Sequence, residues 1–258
     1  MAKPTKLKSD IAWSDVDKVV VHGYDLVGNL LGQVNFGDMA FLSVAARLPT
    51  PQESVVFNAM LVTLVEHGLV PSTIAARMTH AGAPEAMQAA VAAGLLGLGS
   101  VFVGSTRNVA VMLSQAWSAQ PDQSAAKLAQ DIVHQHRSAK KILPGIGHPT
   151  HRNGDPRASK LFALAAENGF AGRHVQLMQA IAAEYEAATG KKLPVNATGA
   201  IGALCCEMDL GDDVAGAIGI MARAVGLVGH IMEEARQPMA VEIWNRTDEE
   251  ATEHLRNA

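Results

Sequence analysis

Apolar positions recur at three- and four-residue intervals through most of the chain, interrupted by polar caps, prolines and glycines. That spacing predicts amphipathic helices, since 3.6 residues make a turn and one face must be buried. Thr50-Pro51-Gln52-Glu53 has the form of an N-cap, a proline at the first helical position and a capping-box glutamate. Val55, Val56, Ala59, Met60 and Thr63 follow at helical spacing, and Gly68 stands where a C′ glycine belongs. Pro84 opens an Ala-rich helix that is expected to end among Gly94, Gly97 and Gly99. Asp122 is expected to start another, with Leu128, Ile132 and Val133 on one face. Asp155-Pro156 repeats the cap-and-proline opening of a helix that stops near Gly169. Val175, Met178, Ile181, Ala182 and Tyr185 mark the next, closed by Gly190. Asp212 or Asp213 would cap a long final helix running to about Arg236, stopped by Pro238. Near the front, Val19–Asp25 reads as a short strand and turn. The pattern predicts an all-α, multi-helix fold of eight or more helices with a short N-terminal β-hairpin.

Composition supports this reading. The chain has 258 residues, of which 48% are hydrophobic and only 4% aromatic. A core of Ala, Leu, Val, Ile and Met suits closely packed helices better than a β-sandwich. The formal charge is −4 and no block of five or six like charges occurs, so the basic footprint of a nucleic-acid binder is absent. No apolar stretch of ~20 residues escapes interruption, so no membrane span is expected. The basic N-terminus lacks the apolar stretch of a secretory signal. Cys205 and Cys206 are adjacent, a poor geometry for a disulfide, and read as packing residues of a reducing, cytoplasmic protein.

The densest unusual segment is Leu143-Pro144-Gly145-Ile146-Gly147-His148-Pro149-Thr150-His151-Arg152-Asn153-Gly154-Asp155-Pro156-Arg157. Its glycines let the backbone approach a ligand and adopt positive φ. Exposed N–H groups, arginines and a helix N-terminus bind anions, and a histidine beside them can move protons near neutral pH. On composition alone, a Gly/Pro-rich surface loop capped by Asp155 is an equally good reading. His134 and His136 lie on diverging helix faces and are expected at the surface rather than on a metal.

Pro-Gly-Ile-Gly-His, followed nine residues later by the arginine of Asp-Pro-Arg, resembles the signature loop of the citrate synthase family. The resemblance extends to Met221–His230, similar to the family's Ala-Arg run in its last long helix, and to Glu66-His67-Gly68, similar to the Asp-His-Gly of citryl-CoA lyases. It implies a citrate synthase-like chain over 1–258, a large helical domain with a small helical lobe around 144–220. His148 would act on the oxo group or take the alcohol proton in cleavage, and His67 would contact the oxaloacetate portion. Arg157 and Arg223 would hold carboxylates. Arg236 would reach across a homodimer, by a weaker match, and His230 would be structural. Pro144, Gly145, Ile146 and Gly147 would lie against coenzyme A, with Arg152 on its phosphate. Phe102 aligns with a loop that carries histidine in the synthases and phenylalanine in the lyase module of ATP-citrate lyase. The implied ligands are a coenzyme A thioester, as substrate, and an oxo acid; no metal or redox cofactor is implied.

One departure matters. The family's catalytic aspartate falls at Thr198 in Val195-Asn196-Ala197-Thr198-Gly199. A threonine hydroxyl is too weak a base to replace it. Asp155, as a cap, and Glu207, nine residues on, are poor substitutes. The expected reaction is citryl-CoA-type cleavage to acetyl-CoA and an oxo acid. The alternatives are citrate synthase-type condensation, or a catalytically weak CoA-binding homologue.

Overall fold

The structure, a computed structural model, describes residues 6–99 and 104–256. Three short antiparallel strands open it: β1 (Ala12–Ser14), β2 (Val19–Val21) and β3 (Tyr24–Asp25), in the order β1-β2-β3. Ala12 pairs with Val21, and Val20 with Asp25. The hairpin expected at Val19–Asp25 is β2–β3. Its turn residues His22 and Gly23 both have positive φ, as a tight two-residue turn requires. A single π-helical turn over Leu26–Leu30 follows.

Eleven α-helices follow among the described residues: α1 (Phe36–Ala45), α2 (Pro51–Val65), α3 (Pro71–Gly82), α4 (Met87–Leu96), α5 (Gly104–Ala119), α6 (Ala125–Ser138), α7 (Pro156–Glu167), α8 (Arg173–Thr189), α9 (Ala197–Glu207), α10 (Gly211–Arg236) and α11 (Ala240–Arg256). The all-α expectation holds. The capping box of α2 is present: Thr50 Oγ1 accepts the Glu53 N–H, and Glu53 Oε2 accepts the Thr50 N–H at 2.8 Å. Arg47 donates to both Glu53 oxygens, and this pairing, against the opposing effect of burial, holds the carboxyl at about 2.

Several boundaries differ from the sequence expectation. α2 stops at Val65, and Gly68 serves the turn into α3 instead, at φ 70°. Pro84 lies ahead of α4 rather than at its start, and Ser124, not Asp122, caps α6. The polar stretch 104–108 forms the first turns of α5. α10 is not the final helix, because the chain turns at Pro238 into α11. α11 has a strongly two-sided pattern but only Ala240 is buried, so polar composition masked it.

α10 is the central element, packing against α2, α3, α4, α5 and α9. Over 18 residues its mean hydropathy is 1.6, and it alone among the described helices is long and apolar enough to cross a membrane; half of that stretch is buried within the protein. The main core runs from Phe41 and Phe57 through Leu113 to Met178, Ile201 and Ile218. The segment expected as a small lobe contributes α7, α8 and α9 to that same core. A separate small cluster of Ala76, Ala90, Leu227 and Ile231 joins α3 and α4 to the second half of α10. The turn between α2 and α3, the α6–α7 loop, the start of α9 and the middle of α10 are thereby brought together.

Candidate active site

The α6–α7 loop is fixed by backbone pairing, which its glycines permit. Gly145 and Gly147 have φ of 85° and 77°. Ile146 bridges to Val195, Gly147 N donates to Pro194 O at 2.8 Å, and Asn196 N donates to Gly145 O at 3.0 Å. Asn196 caps α9 by accepting the Gly199 N–H, and its Nδ2 donates to Gly147 O at 2.7 Å. A Cβ on Gly199 would lie 2.2 Å from the Gly145 carbonyl oxygen, so only glycine allows this approach.

Asp155 ties three pieces together. It caps α7, and its oxygens accept from Arg157 N, Arg157 Nε, Arg157 Nη2 and, at 3.0 Å, from Ala197 N at the start of α9. Burial alone would raise its pKa; the guanidinium and the two N–H groups outweigh it and hold the carboxyl at about 2. With its lone pairs taken, Asp155 is a structural clamp, as its capping position implied. Glu207 is also committed, accepting the N–H groups of His174 and Val175 at the start of α8.

A cleft of about 540 Å³ opens where these parts meet. His67, His148, Thr198, Arg157 and Arg223 all line it, together with Pro144, Gly145, Ile146 and Gly147. Nine of the residues singled out in the sequence, spread over more than 150 positions, thus share one wall. Arg152 is exposed on the loop, its Nε donating to Pro149 O, and does not line the cleft. Arg236 lies at the exposed end of α10, its Nε on Met232 O, and is not part of this chain's own cleft. Phe102 lies outside the described residues. Arg107 is used elsewhere, bridging α5 to Asp212 and Asp213.

The imidazoles are specifically set. His148 Nδ1 accepts the N–H groups of Thr150 and His151, both at 3.1 Å. A nitrogen that accepts two donors carries no proton, so the neutral ring bears its hydrogen on Nε2. Partial burial, and then the charge of Arg157, lower the His148 pKa; burial, Arg157 and Arg223 lower that of His67. Both rings are therefore neutral at pH 7. Their centroids are 5.5 Å apart, and His151 lies 4.6 Å from His148. One ring nitrogen from each of the three falls within 4.8 Å of the others, a grouping that could ligate a cation. The same guanidiniums that keep the rings neutral oppose a cation at that point.

Arg223 is the most exacting group. It is only 7% exposed, yet its Nε and Nη1 have no hydrogen-bond partner among the described residues. Burial lowers its pKa, and Glu66 provides the opposing attraction. A buried guanidinium with open donors is costly unless an anion meets it. Thr198, at the second position of α9, donates its hydroxyl to Asn196 Oδ1 at 2.8 Å.

The fold has relatives among known proteins. A family model described as "Citrate synthase, C-terminal domain" matches residues 19–244. The chain belongs to the citrate synthase family. The structure of citryl-CoA lyase from Hydrogenobacter thermophilus is similar at TM-score 0.81 and 32% identity, over 88% of this chain and 86% of that one. ATP citrate lyase from Methanothrix soehngenii, in complex with citrate and coenzyme A, shares the fold at TM-score 0.77 and 20% identity, over 92% of this chain and 40% of that one. Citrate synthase 2 of Bacillus subtilis (strain 168) is 25% identical over 187 residues, 72% of this chain and 48% of its own length. The chain thus spans about half the length of that curated relative.

Sequence reasoning undervalued Glu66. It lines the cleft beside His67 and is the only carboxylate among the described residues that does so. Its partner, His230, is 164 positions away, so no local pattern could reveal the pairing.

Proposed function

We propose that this chain cleaves a 3-hydroxy-3-carboxyacyl-CoA, such as citryl-CoA, into acetyl-CoA and an oxo acid such as oxaloacetate. The observation that carries the reading is Arg223: a buried guanidinium with two donors unpaired among the described residues, in the same cleft as two neutral histidines. The 32% identity to a citryl-CoA lyase supports it.

In this reading the substrate carboxylates lie on Arg223 and Arg157. Asp155 fixes the Arg157 plane and leaves its Nη1 unbonded among the described residues, so a fork is presented to the cleft. His148 donates its Nε2–H to the alcohol oxygen and stays on it as the oxygen becomes a carbonyl. The tautomer makes His148 a donor, so His67 rather than His148 accepts the alcohol proton. The carbon–carbon bond breaks, its electrons pass into the thioester enolate, and the enolate carbon takes up a proton. Donors already in place around the oxygen need no rearrangement as its charge changes.

The thioester would lie along Pro144–Gly147. A second cleft of about 870 Å³ shares Ser105, Ile142 and Pro144 with the first and is lined by Gln115, Gln135 and Lys141. It is a suitable course for the nucleotide, with Arg152 at its phosphate. The chain would act as a cytoplasmic homodimer, with Arg236 completing the partner's cleft. Exposed Ile220, Val228 and Met232 on α10 and Trp244 on α11 offer an apolar surface for such a contact.

The hydrogen bond that occupies Thr198 favours the second reading, a CoA-binding homologue that does not turn over. Incubating the purified chain with citryl-CoA separates the two. Equal release of acetyl-CoA and oxaloacetate supports cleavage. Binding of coenzyme A with no product supports the homologue, and citrate formed only from the two products supports condensation.

A further inference from the structure

Resting on the cleavage reading, we infer that Glu66 moves the proton at the thioester α-carbon, the task left open by threonine at position 198. A carbon–carbon cleavage of this kind moves one proton, in net, from the alcohol oxygen to the new methyl carbon, and a carboxylate beside that carbon is suited to deliver it.

Among the carboxylates of the described residues, one lines the cleft. Thr198 commits its hydroxyl to Asn196. Asp155 accepts four hydrogen bonds and does not line the cleft, and Glu207 caps α8. Glu66 does line the cleft, and its side chain is about half exposed. Oε2 accepts the N–H groups of His67 and Gly68 at 3.2 and 3.3 Å and is met by His230 Nε2 at 3.0 Å. Oε1 accepts no hydrogen bond among the described residues and is free to meet a proton.

The support behind Glu66 is built for holding one orientation. Arg77 is fully buried and donates Nε to His230 Nδ1 at 3.2 Å, with Nη2 also at that nitrogen. An Nδ1 occupied by guanidinium donors leaves the His230 hydrogen on Nε2, aimed at Glu66. Arg77 is itself anchored by Glu234 at 2.9 Å and by Glu233. Gly226 completes the seat: a Cβ there would lie 2.7 Å from Glu66 Oε1 and 2.0 Å from Val65 O. His230, expected to be structural, is thus a positioning residue for Glu66.

The proton balance closes. His67 takes the alcohol proton as the carbon–carbon bond breaks, passes it to the neighbouring Glu66 carboxylate directly or through one water, and Glu66 delivers it to the enolate carbon. Both groups end as they began. In reverse, Glu66 removes a methyl proton from acetyl-CoA.

The test compares wild type, Glu66→Gln and Glu66→Asp in two assays: citryl-CoA cleavage, and exchange of acetyl-CoA methyl protons with deuterium oxide in the presence of oxaloacetate. Glutamine keeps the length and the acceptor oxygen for His67 and Gly68, whereas aspartate keeps the charge. We expect Glu66→Gln to melt and bind coenzyme A as wild type does, while losing both reactions by ~100-fold or more. Glu66→Asp should retain more of both than Glu66→Gln. A purely structural Glu66 would give the opposite order, and equal exchange in wild type and Glu66→Gln would overturn the inference while leaving the cleavage reading intact. Wild type that neither cleaves nor exchanges would overturn the cleavage reading and the inference with it.

Discussion

Asp155 grips Arg157 with both carboxylate oxygens, at 3.0 Å to Nε and 2.8 Å to Nη2, while one of the same oxygens accepts the first N–H of α9. One buried side chain therefore sets the cap of α7, the plane of a cleft-lining guanidinium and the position of Thr198. Replacing it with alanine removes a buried ion-pair partner and a helix cap together. We expect Asp155→Ala to lower stability by roughly 3 kcal/mol, a fall of about 10 °C in Tm for a chain of this size. Because the folded carboxyl is held at about 2, below the ordinary value of 3.8, its contribution is complete above that ordinary value. It fades as pH drops toward 2. Melting curves of both proteins should thus differ at neutral pH and converge in acid.

Arg223 gives a prediction of opposite sign for stability and binding. Its Nε and Nη1 are buried with no hydrogen-bond partner among the described residues, so Arg223→Met should raise the stability of the ligand-free protein by about 1–3 kcal/mol. The same change should weaken oxaloacetate about 10- to 100-fold, since charge-assisted hydrogen bonds are lost. Differential scanning calorimetry with and without oxaloacetate reads both; a less stable ligand-free variant would mean that Arg223 is already satisfied within the fold.

The pH profile follows from two lowered histidines. His67 and His148 must be neutral, one to accept a proton and the other to donate from Nε2. Each has a pKa below the ordinary 6.5, so protonation matters only on the acid side. Turnover should be flat from pH 7 to 8 and decline below about 6.5. A rate that rises as the solution is acidified through that range would require an imidazolium and contradict these roles.

Thr198 offers a gain-of-function check. It sits at the second position of α9, where a carboxylate is favoured by the helix N-terminus. Thr198→Asp introduced into Glu66→Gln should restore deuterium exchange by at least ~10-fold over Glu66→Gln alone. No recovery would place the α-carbon out of reach of this position.

Much of this arrangement was legible from sequence because it is local. The Thr50–Glu53 capping box, the Asp155-Pro156 opening and the Gly190 stop each rest on residues within one turn. The Pro-Gly-Ile-Gly-His loop was visible because its glycines mark a backbone of positive φ, which glycine adopts at least cost. What escaped notice was long-range or lies outside the buried core. α11 buries one residue, so no core stripe marks it. The Arg77–His230–Glu66 chain joins α3, α10 and the α2–α3 turn, and nothing within any one segment hints at the other two. The convergence of Arg223 with His148 was implied by the family resemblance and not by spacing, since it depends on how α10 crosses the core.

The central claim is that His148, backed by Arg157 and Arg223, polarises the oxo group of a bound dicarboxylate. Carbon-13 NMR of oxaloacetate labelled at its ketone carbon measures this directly. A strong Nε2–H donor draws electron density from that carbon, so the bound resonance should move downfield of free oxaloacetate in wild type. It should return toward the free position in His148→Ala at saturating ligand. A bound ketone with the free shift in wild type, or one equally displaced in His148→Ala, would contradict the account.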